Sequence, residues 1–490
     1  MRSASMKHFL WRIRQIELFD STGMTPQLRS NLYWVIWGAT IGMLYFNVIN
    51  GAAWTGFQRV ILRAGDFELG CIAAVPVAVN IFQLLFSYIM EKRRNRRFLF
   101  LFFGITSRSL WIIIGLIPLF LLNAPHSLRI SATIMLIALV SSGASFVSLG
   151  FGSLMGDLVP IKIRGRYFSA RLRISLIAGI LSGLIVSWLL DAFGDTGYTL
   201  VLVLAGLAGM VDIACFFFVS WPPMEGSEDK KEKEKPFTMF GGVLKNKRFM
   251  TLCFFFTCWF FAIGLSSPFN NVYLLEVMHL SFLEITLYAQ IVSNIMTMVT
   301  VTIWGRAIDR YGNKPVMQLT GLICMCLTML WLFMQPGRIF LVILLNLLSG
   351  FFWVSLDLGQ QNLYLGLSEQ KNRSAYLAVF FTVTNLIGTA LGNTIGGALV
   401  QGPFTEFAKL NLMFFGMALN KYHYVYILST ILRIGSITLL LRRIQEDGAV
   451  SLSQMTASIR YDFSLWRKRY TKRLSMRFSG HRRHHRKKGE

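Results

Sequence analysis

Apolar residues in this chain run in blocks of about twenty, covering every face of any helix they form, and a helix of that length crosses about 30 Å of hydrocarbon. The blocks fall at about 31–54, 67–89, 98–122, 129–155, 170–191, 198–220, 249–275, 283–304, 315–335, 338–362, 374–400 and 421–442. Twelve such blocks predict an all-α, polytopic membrane protein with twelve spans. Between the sixth and seventh blocks the pattern breaks, and residues 225–235 read EGSEDKKEKEK. Residues 222–248 are therefore a solvated linker, dividing a six-span half at 31–221 from another at 249–443. Residues 1–30 form a terminal segment, and residues 444–490 form a basic tail.

Composition supports that division of solvent. Only 15% of the residues are charged and 54% are hydrophobic, whereas a soluble domain carries about a quarter charged residues. A formal net charge of +25 invites a nucleic-acid reading, but the placement of the charge excludes it. Of 49 Lys and Arg, all but eight (Arg59, Arg63, Arg108, Arg129, Arg338, Lys409, Lys421 and Arg433) lie in the terminal segments and in alternate loops. Cytoplasmic loops retain Lys and Arg during insertion, so both termini are expected in the cytoplasm of a plasma or inner membrane. The first thirty residues hold no short apolar core with a cleavage site, so no signal peptide is expected. The six cysteines lie inside apolar blocks without companions at metal-ligand spacing, and no metal or cofactor is expected.

Two internal echoes point to duplication of a six-helix unit. Ser87, Glu91, Asn95 and Arg96 after span 2 match Gly305, Asp309, Asn313 and Lys314 after span 8, at an offset of 218. Val147-Ser148-Leu149 leading to Arg166-Tyr167 matches Val354-Ser355-Leu356 leading to Arg373 and Tyr376. Both echoes fall at the loops that such duplication predicts.

The decapeptide from Gly305 to Lys314, GRAIDRYGNK, resembles the G-x-x-x-D-R-x-G-R-K loop signature of the major facilitator superfamily, with Asn313 as the one departure. The resemblance spans residues 31–443. It implies two pseudo-symmetric six-helix bundles around a central cavity, working by alternating access. It also implies a gate in which Gly305, Asp309, Arg310 and Gly312 latch one face, and in which Arg164 and Arg166 partner a span-2 carboxylate, Glu91. The first-half copy departs from the signature, with Ser87 and Glu91 in place of Gly and Asp. The span-5 element of drug/proton antiporters is absent, since residues 178–183 hold no proline, and so are the sugar-porter loop signatures.

The same resemblance puts spans 1, 4, 7 and 10 around the cavity, flanked by 2, 5, 8 and 11. Candidates there are Asn47, Asn50 and Trp54 on span 1, Asn80 and Gln83 on span 2, and Asn270, Asn271 and Tyr273 on span 7. Gln290 and Asn294 on span 8 and Trp353, Asp357 and Gln360 on span 10 complete the set. Amides that both donate and accept, beside flat rings, suit a neutral polar solute such as a sugar or nucleoside. Any one buried amide also bonds helix to helix, so the collective bias carries the argument.

Four ionisable residues lie deep in spans. Because a lone charge there is unfavourable, Arg108 is expected to pair with Asp212, and Asp357 with Arg433. An Asp357 not held by Arg433 would exchange a proton during the cycle and couple transport to the proton gradient. In the tail, Phe463, Trp466, Tyr470, Leu474 and Phe478 recur at spacings of three and four among basic residues. That pattern predicts an amphipathic helix on anionic lipids. His481, His484 and His485 read as part of the polybasic end rather than as metal ligands.

The expected function is secondary active transport of a small polar solute by a monomer, without nucleic acid or ATP, since no Walker lysine is present. Alternatives are an exporter of hydrophobic compounds or a non-transporting membrane sensor. No Ser/His/Asp group or paired carboxylates at usable spacing suggest an enzyme.

Overall fold

The computed structural model describes residues 24–82, 95–121, 123–222, 242–369, 373–446, 448–458 and 460–461. The long helices are α1 (Pro26–Asn50), α2 (Asp66–Val79), α3 (Arg96–Phe120) and α4 (His126–Leu158). A continuous run, Arg166–Phe218, follows. It is two spans, α5 and α6, because Gly194 has φ 54 and breaks the helix there. A left-handed residue reverses the chain in one step, and glycine adopts that conformation without a Cβ clash. The second half comprises α7 (Lys247–Val277), α8 (Phe282–Tyr311), α9 (Asn313–Phe333), α10 (Ile339–Leu367), α11 (Ala375–Lys409) and α12 (Lys421–Arg443). The only strands among the described residues are Met413–Phe414 and Met417–Ala418, a hairpin between α11 and α12. Eleven of the twelve predicted spans are thus described at membrane length, and of the second, predicted at 67–89, the described residues show helix over Asp66–Val79.

Side-chain caps set several helix starts. Thr25 accepts from Leu28 N, Asn95 from Phe98 N and Asn246 from Phe249 N, at 3.1–3.3 Å, which satisfies amides that have no partner in the first turn. Each half buries its own core. In the first, α1 packs on α5 and α6, and α3 lies between α4 and α6, enclosing Tyr45, Trp111, Phe100 and Tyr167. In the second, Phe249, Phe256, Tyr376 and Phe380 form one cluster and Tyr273, Trp331 and Tyr426 another. Large apolar side chains such as Phe120, Met135, Trp188 and Phe340 are more than half exposed, as expected of a surface that meets lipid.

Three backbone features repeat between the halves at an offset of 216. The short helix that follows α1, Ala52–Gly56, and the end of α7 both loosen into π turns, at Phe57–Ile61 and Tyr273–Val277. Each is followed by a non-glycine residue in the left-handed region, Arg63 with φ 53 and His279 with φ 54. A reciprocal cap then opens the next helix, with Glu68 accepting from Gly65 N at 2.7 Å and Glu284 from Ser281 N at 2.9 Å. Duplication therefore shows in backbone geometry where side chains have diverged.

The start of α1 lies beside the end of α6, where Asn31 Oδ1 accepts from Ser220 N at 3.1 Å. We call this face, which leads into the linker, the linker side, and the opposite face the far side.

Candidate functional site

Two of the predicted cavity amides meet between the halves. Asn47 on α1 donates to Gly179 O at 2.6 Å and Ser182 Oγ at 2.7 Å, both on α5, and its Oδ1 accepts from Gln290 Nε2 on α8 at 3.0 Å. Nearby, Ser187 Oγ lies 2.7 Å from Thr286 Oγ1. Asp191 accepts from Phe282 N and Leu283 N at 3.1 and 3.0 Å, capping α8 from the other half. Asn271 reaches Thr55 at 3.5 Å.

Further toward the far side the halves are joined by charge. Asp66, at the first turn of α2 and 4% exposed, binds Arg59 of its own half and Lys421 Nζ of the other at 2.5 Å. Arg59 Nε also pairs with Glu276 Oε1 of α7 at 2.9 Å, and Tyr422 Oη donates to Glu276 at 3.1 Å. Two cations and two carboxylates thus balance across the interface. Beside them α2 and α11 touch backbone to backbone: a Cβ at Gly70 would lie 3.1 Å from Gly397 Cα and closer still to Asn393 O. Sequence reasoning counted Arg59 and Lys421 only as charges outside the membrane and passed over Asp66 and Glu276. Their position in the first and last turns of spans was the available signal.

The remaining cavity candidates are distributed unevenly. Asn346, Ser349, Trp353, Asp357 and Gln360 recur at spacings of three and four along α10, so they share one face. The first three line a recess of about 290 Å³, with Ser266 and Asn270 of α7, Thr328 and Trp331 of α9, and Tyr426 and Arg433 of α12. Asp357 is exposed, Gln360 half-buried, and Asn294 on α8 exposed. Asn270 accepts from Tyr426 Oη at 3.3 Å, Asn80 from Ser145 Oγ at 3.2 Å, and Asn50 donates to Phe46 O of its own helix. Trp54 packs edge-on against Trp111, centroids 5.0 Å apart, within the first-half core. Tyr273 is corrected as a cavity residue: it is fully buried in the second-half core, donating to Met334 O at 3.0 Å and bonded to His423 at 2.7 Å. Gln83 and Glu91 lie outside the described residues, as do most of the linker and the tail beyond Tyr461.

Neither expected intramembrane ion pair forms. Arg108 stacks on the Tyr45 ring, its guanidinium carbon 3.8 Å from the centroid, so a ring face replaces Asp212 as its nearest partner. Asp212 instead lies against Gly38 and Gly42 of α1. Arg433 donates to Thr328 Oγ1 at 2.9 Å and Ser266 Oγ at 3.2 Å, while Asp357 has no cationic partner among the described residues. Comparable depth brought Arg108 against α6 at Gly209, three residues from Asp212, without direct contact between the two charges.

At the linker side the signature decapeptide makes its turn. Gly312 has φ 93, and Glu446 after α12 caps α9, accepting from Asn313 N at 2.9 Å and Lys314 N at 2.7 Å. Asp309 is exposed and has no hydrogen bond or ion pair among the described residues. Arg310 contacts Ser458 at 3.4 Å and the Tyr311 ring, and no atom lies within 4 Å of a Cβ built at Gly305. Arg164 bonds the carbonyls of Gly156 and Val159 in its own half, at 3.1 and 3.3 Å, and Arg166 lies in the same turn region at the start of α5. Arg96, which sequence reasoning used only as part of a repeat, pairs with Asp157 at 2.5 Å. The polar bridges between the halves described above all lie toward the far side, and the signature's bonds named here, to Glu446 and Ser458, stay with the second half.

This architecture recurs in known proteins. The chain superposes on the nucleoside transporter NupG with a TM-score of 0.66 at 13% identity, over 85% of this chain and 100% of that one. It matches an inward-open structure of the xylose transporter XylE from E. coli with a TM-score of 0.58 at 15% identity, over 87% and 99%. An inward-facing bacterial homologue of the iron transporter ferroportin also matches, with a TM-score of 0.58 at 15% identity, over 88% and 99%. No curated protein sequence matches the chain. The sequence profile of the Major Facilitator Superfamily matches residues 35–392 and again 292–474. Profile, twelve-helix fold and signature loop agree, and the chain belongs to the major facilitator superfamily.

Proposed function

We infer that this protein is a secondary active transporter of a small, neutral, polar solute, sugar-like or nucleoside-like, in a state open to the linker side. The observation that carries this reading is one-sided closure. Asp66 with Lys421, Arg59 with Glu276, and Asn47 with Gln290 join the halves toward the far side, while Asp309 of the opposite latch has no partner among the described residues. A cavity sealed at one end by breakable polar bridges, with a second latch waiting at the other, is what alternating access requires. The excess of Lys and Arg on the linker side supports a cytoplasmic linker side with both ends inside, in a plasma or inner membrane. Polar groups on α10 and α8 that lack partners among the described residues favour a solute with hydroxyls or ring nitrogens, and the solutes for which NupG and XylE are named, a nucleoside and xylose, are of that class. Asp357, without a cationic partner among the described residues, is the proposed proton-coupling carboxyl. The basic tail is proposed to rest on anionic lipid, and the working unit is a monomer.

Counterflow in proteoliposomes tests the reading, with radiolabelled uridine, xylose and a hydrophobic cationic dye as separate solutes. Saturable exchange of uridine or xylose is expected. Exchange of the dye alone would establish export of hydrophobic compounds, and binding without any exchange would establish a sensor. Asp357→Asn is expected to keep counterflow and lose accumulation driven by a pH gradient.

A further inference from the structure

We propose that the recess between α7, α9, α10 and α12 is a binding site for the oxyanion group of a small organic anion, with Arg433 as its counter-charge. Arg433 is 6% exposed and lies in the wall of the recess. Its side chain donates only to neutral acceptors, Thr328 Oγ1 and Ser266 Oγ, and its Nε has no hydrogen bond. No carboxylate pairs with it among the described residues. Arginine keeps its proton inside proteins, and a buried guanidinium without a counter-charge is strongly unfavourable inside a membrane. A site that retains such a cation is one in which a ligand supplies the negative charge.

The recess also sets the size and character of that ligand. Its volume of about 290 Å³ is roughly ten times the share of liquid volume that one water takes, far more than a halide fills. Trp331, Trp353 and Tyr426 give it flat apolar walls, and Ser349, Asn346 and Asn270 add polar groups. That combination suits a carboxylate or phosphate ester carrying a ring or a short carbon body, held by the planar guanidinium. The proposal goes beyond the transport reading, because equilibrium binding is measured whether or not any solute is exchanged.

The test is titration of the purified full-length protein with sodium benzoate, phenyl phosphate, inorganic phosphate, chloride and neutral benzamide, read by tryptophan fluorescence and thermal shift. Saturable binding of benzoate or phenyl phosphate at millimolar concentration or below is expected, and the stronger of the two identifies the oxyanion. Benzamide should fail to saturate. Arg433→Gln should weaken binding at least tenfold. Because that variant alters a buried polar cluster, Ser349→Phe serves as a second: it fills the recess with Arg433 and its bonds to Thr328 and Ser266 left in the sequence, and should abolish binding in a protein whose melting temperature is retained. Saturation by chloride or inorganic phosphate alone, equal binding of benzamide, no saturation by any anion, or unchanged binding in both variants would overturn the proposal.

Discussion

Asn47 of α1 and Gln290 of α8 meet across the two halves, side-chain amide to side-chain amide at 3.0 Å. Asn47 is held from behind by Gly179 O and Ser182 Oγ, so Gln290 meets a fixed acceptor. Gln290→Ala removes the bond and leaves that acceptor unmet, a loss of about 1–3 kcal/mol. Because the bond exists only while the far side is shut, the shut population should fall by a factor of five or more. Hydrogen exchange should speed up across residues 47–56 and 283–291, and counterflow should drop. Asn47→Ala, which removes three bonds, should do both more strongly; equal exchange in wild type and both variants would refute this role.

The ionic cluster ranks its own members. Asp66 is buried and serves partners from both halves, whereas the Glu276 side chain is 42% exposed. Losing the charge of a buried carboxylate strands its cations, while an exposed pair contributes about 1 kcal/mol or less. Asp66→Asn should therefore lower the melting temperature and speed far-side hydrogen exchange well beyond Glu276→Gln. The reverse order would contradict the geometry.

Asp309 separates stability from turnover. It is exposed and has no polar partner among the described residues, so Asp309→Asn should leave thermal stability within about 0.5 kcal/mol of wild type. In the proposed latch its carboxylate acts only when the linker side shuts, so the same variant should slow counterflow severalfold. A large loss of stability with normal transport would place Asp309 in the fold instead.

Close backbone contact between α2 and α11 predicts a steric block. A Cβ at Gly70 would press on Asn393 and Gly397, and Gly70→Val adds two further carbons. Packed interfaces do not absorb such volume without shifting. The variant should fold, fail to close its far side and lose counterflow, and far-side hydrogen exchange should rise in parallel. Normal transport would show that α2 and α11 do not approach this closely during the cycle.

The spans were legible because lipid leaves a chain so little choice: apolar blocks long enough to cross must be helices that satisfy their own backbone groups. The duplication was legible in the linker-side loops, where Gly305 to Lys314 echoes the loop after span 2, and the structure adds the matched turns at Arg63 and His279. Side-chain direction was not legible. Hydropathy gives depth but not the partner a side chain finds, so Asp357 and Arg433 looked paired while Arg433 bonds Thr328 and Ser266 instead, and Tyr273 proved to point into its own half. The far-side cluster escaped notice for a related reason. Arg59, Asp66, Glu276 and Lys421 stand at the ends of four different spans, and only the assembled bundle brings them together.

The account rests on a far side that is shut here and must open in every cycle. Ser187 and Thr286 face each other across the interface with hydroxyl oxygens 2.7 Å apart, close enough for a Ser187→Cys, Thr286→Cys pair to form a disulfide in a background with the six native cysteines replaced. Counterflow measured before oxidation, after oxidation and after reduction tests the claim directly. The account predicts that the oxidised protein stops exchanging solute and that reduction restores it; exchange at an undiminished rate by fully cross-linked protein would contradict it.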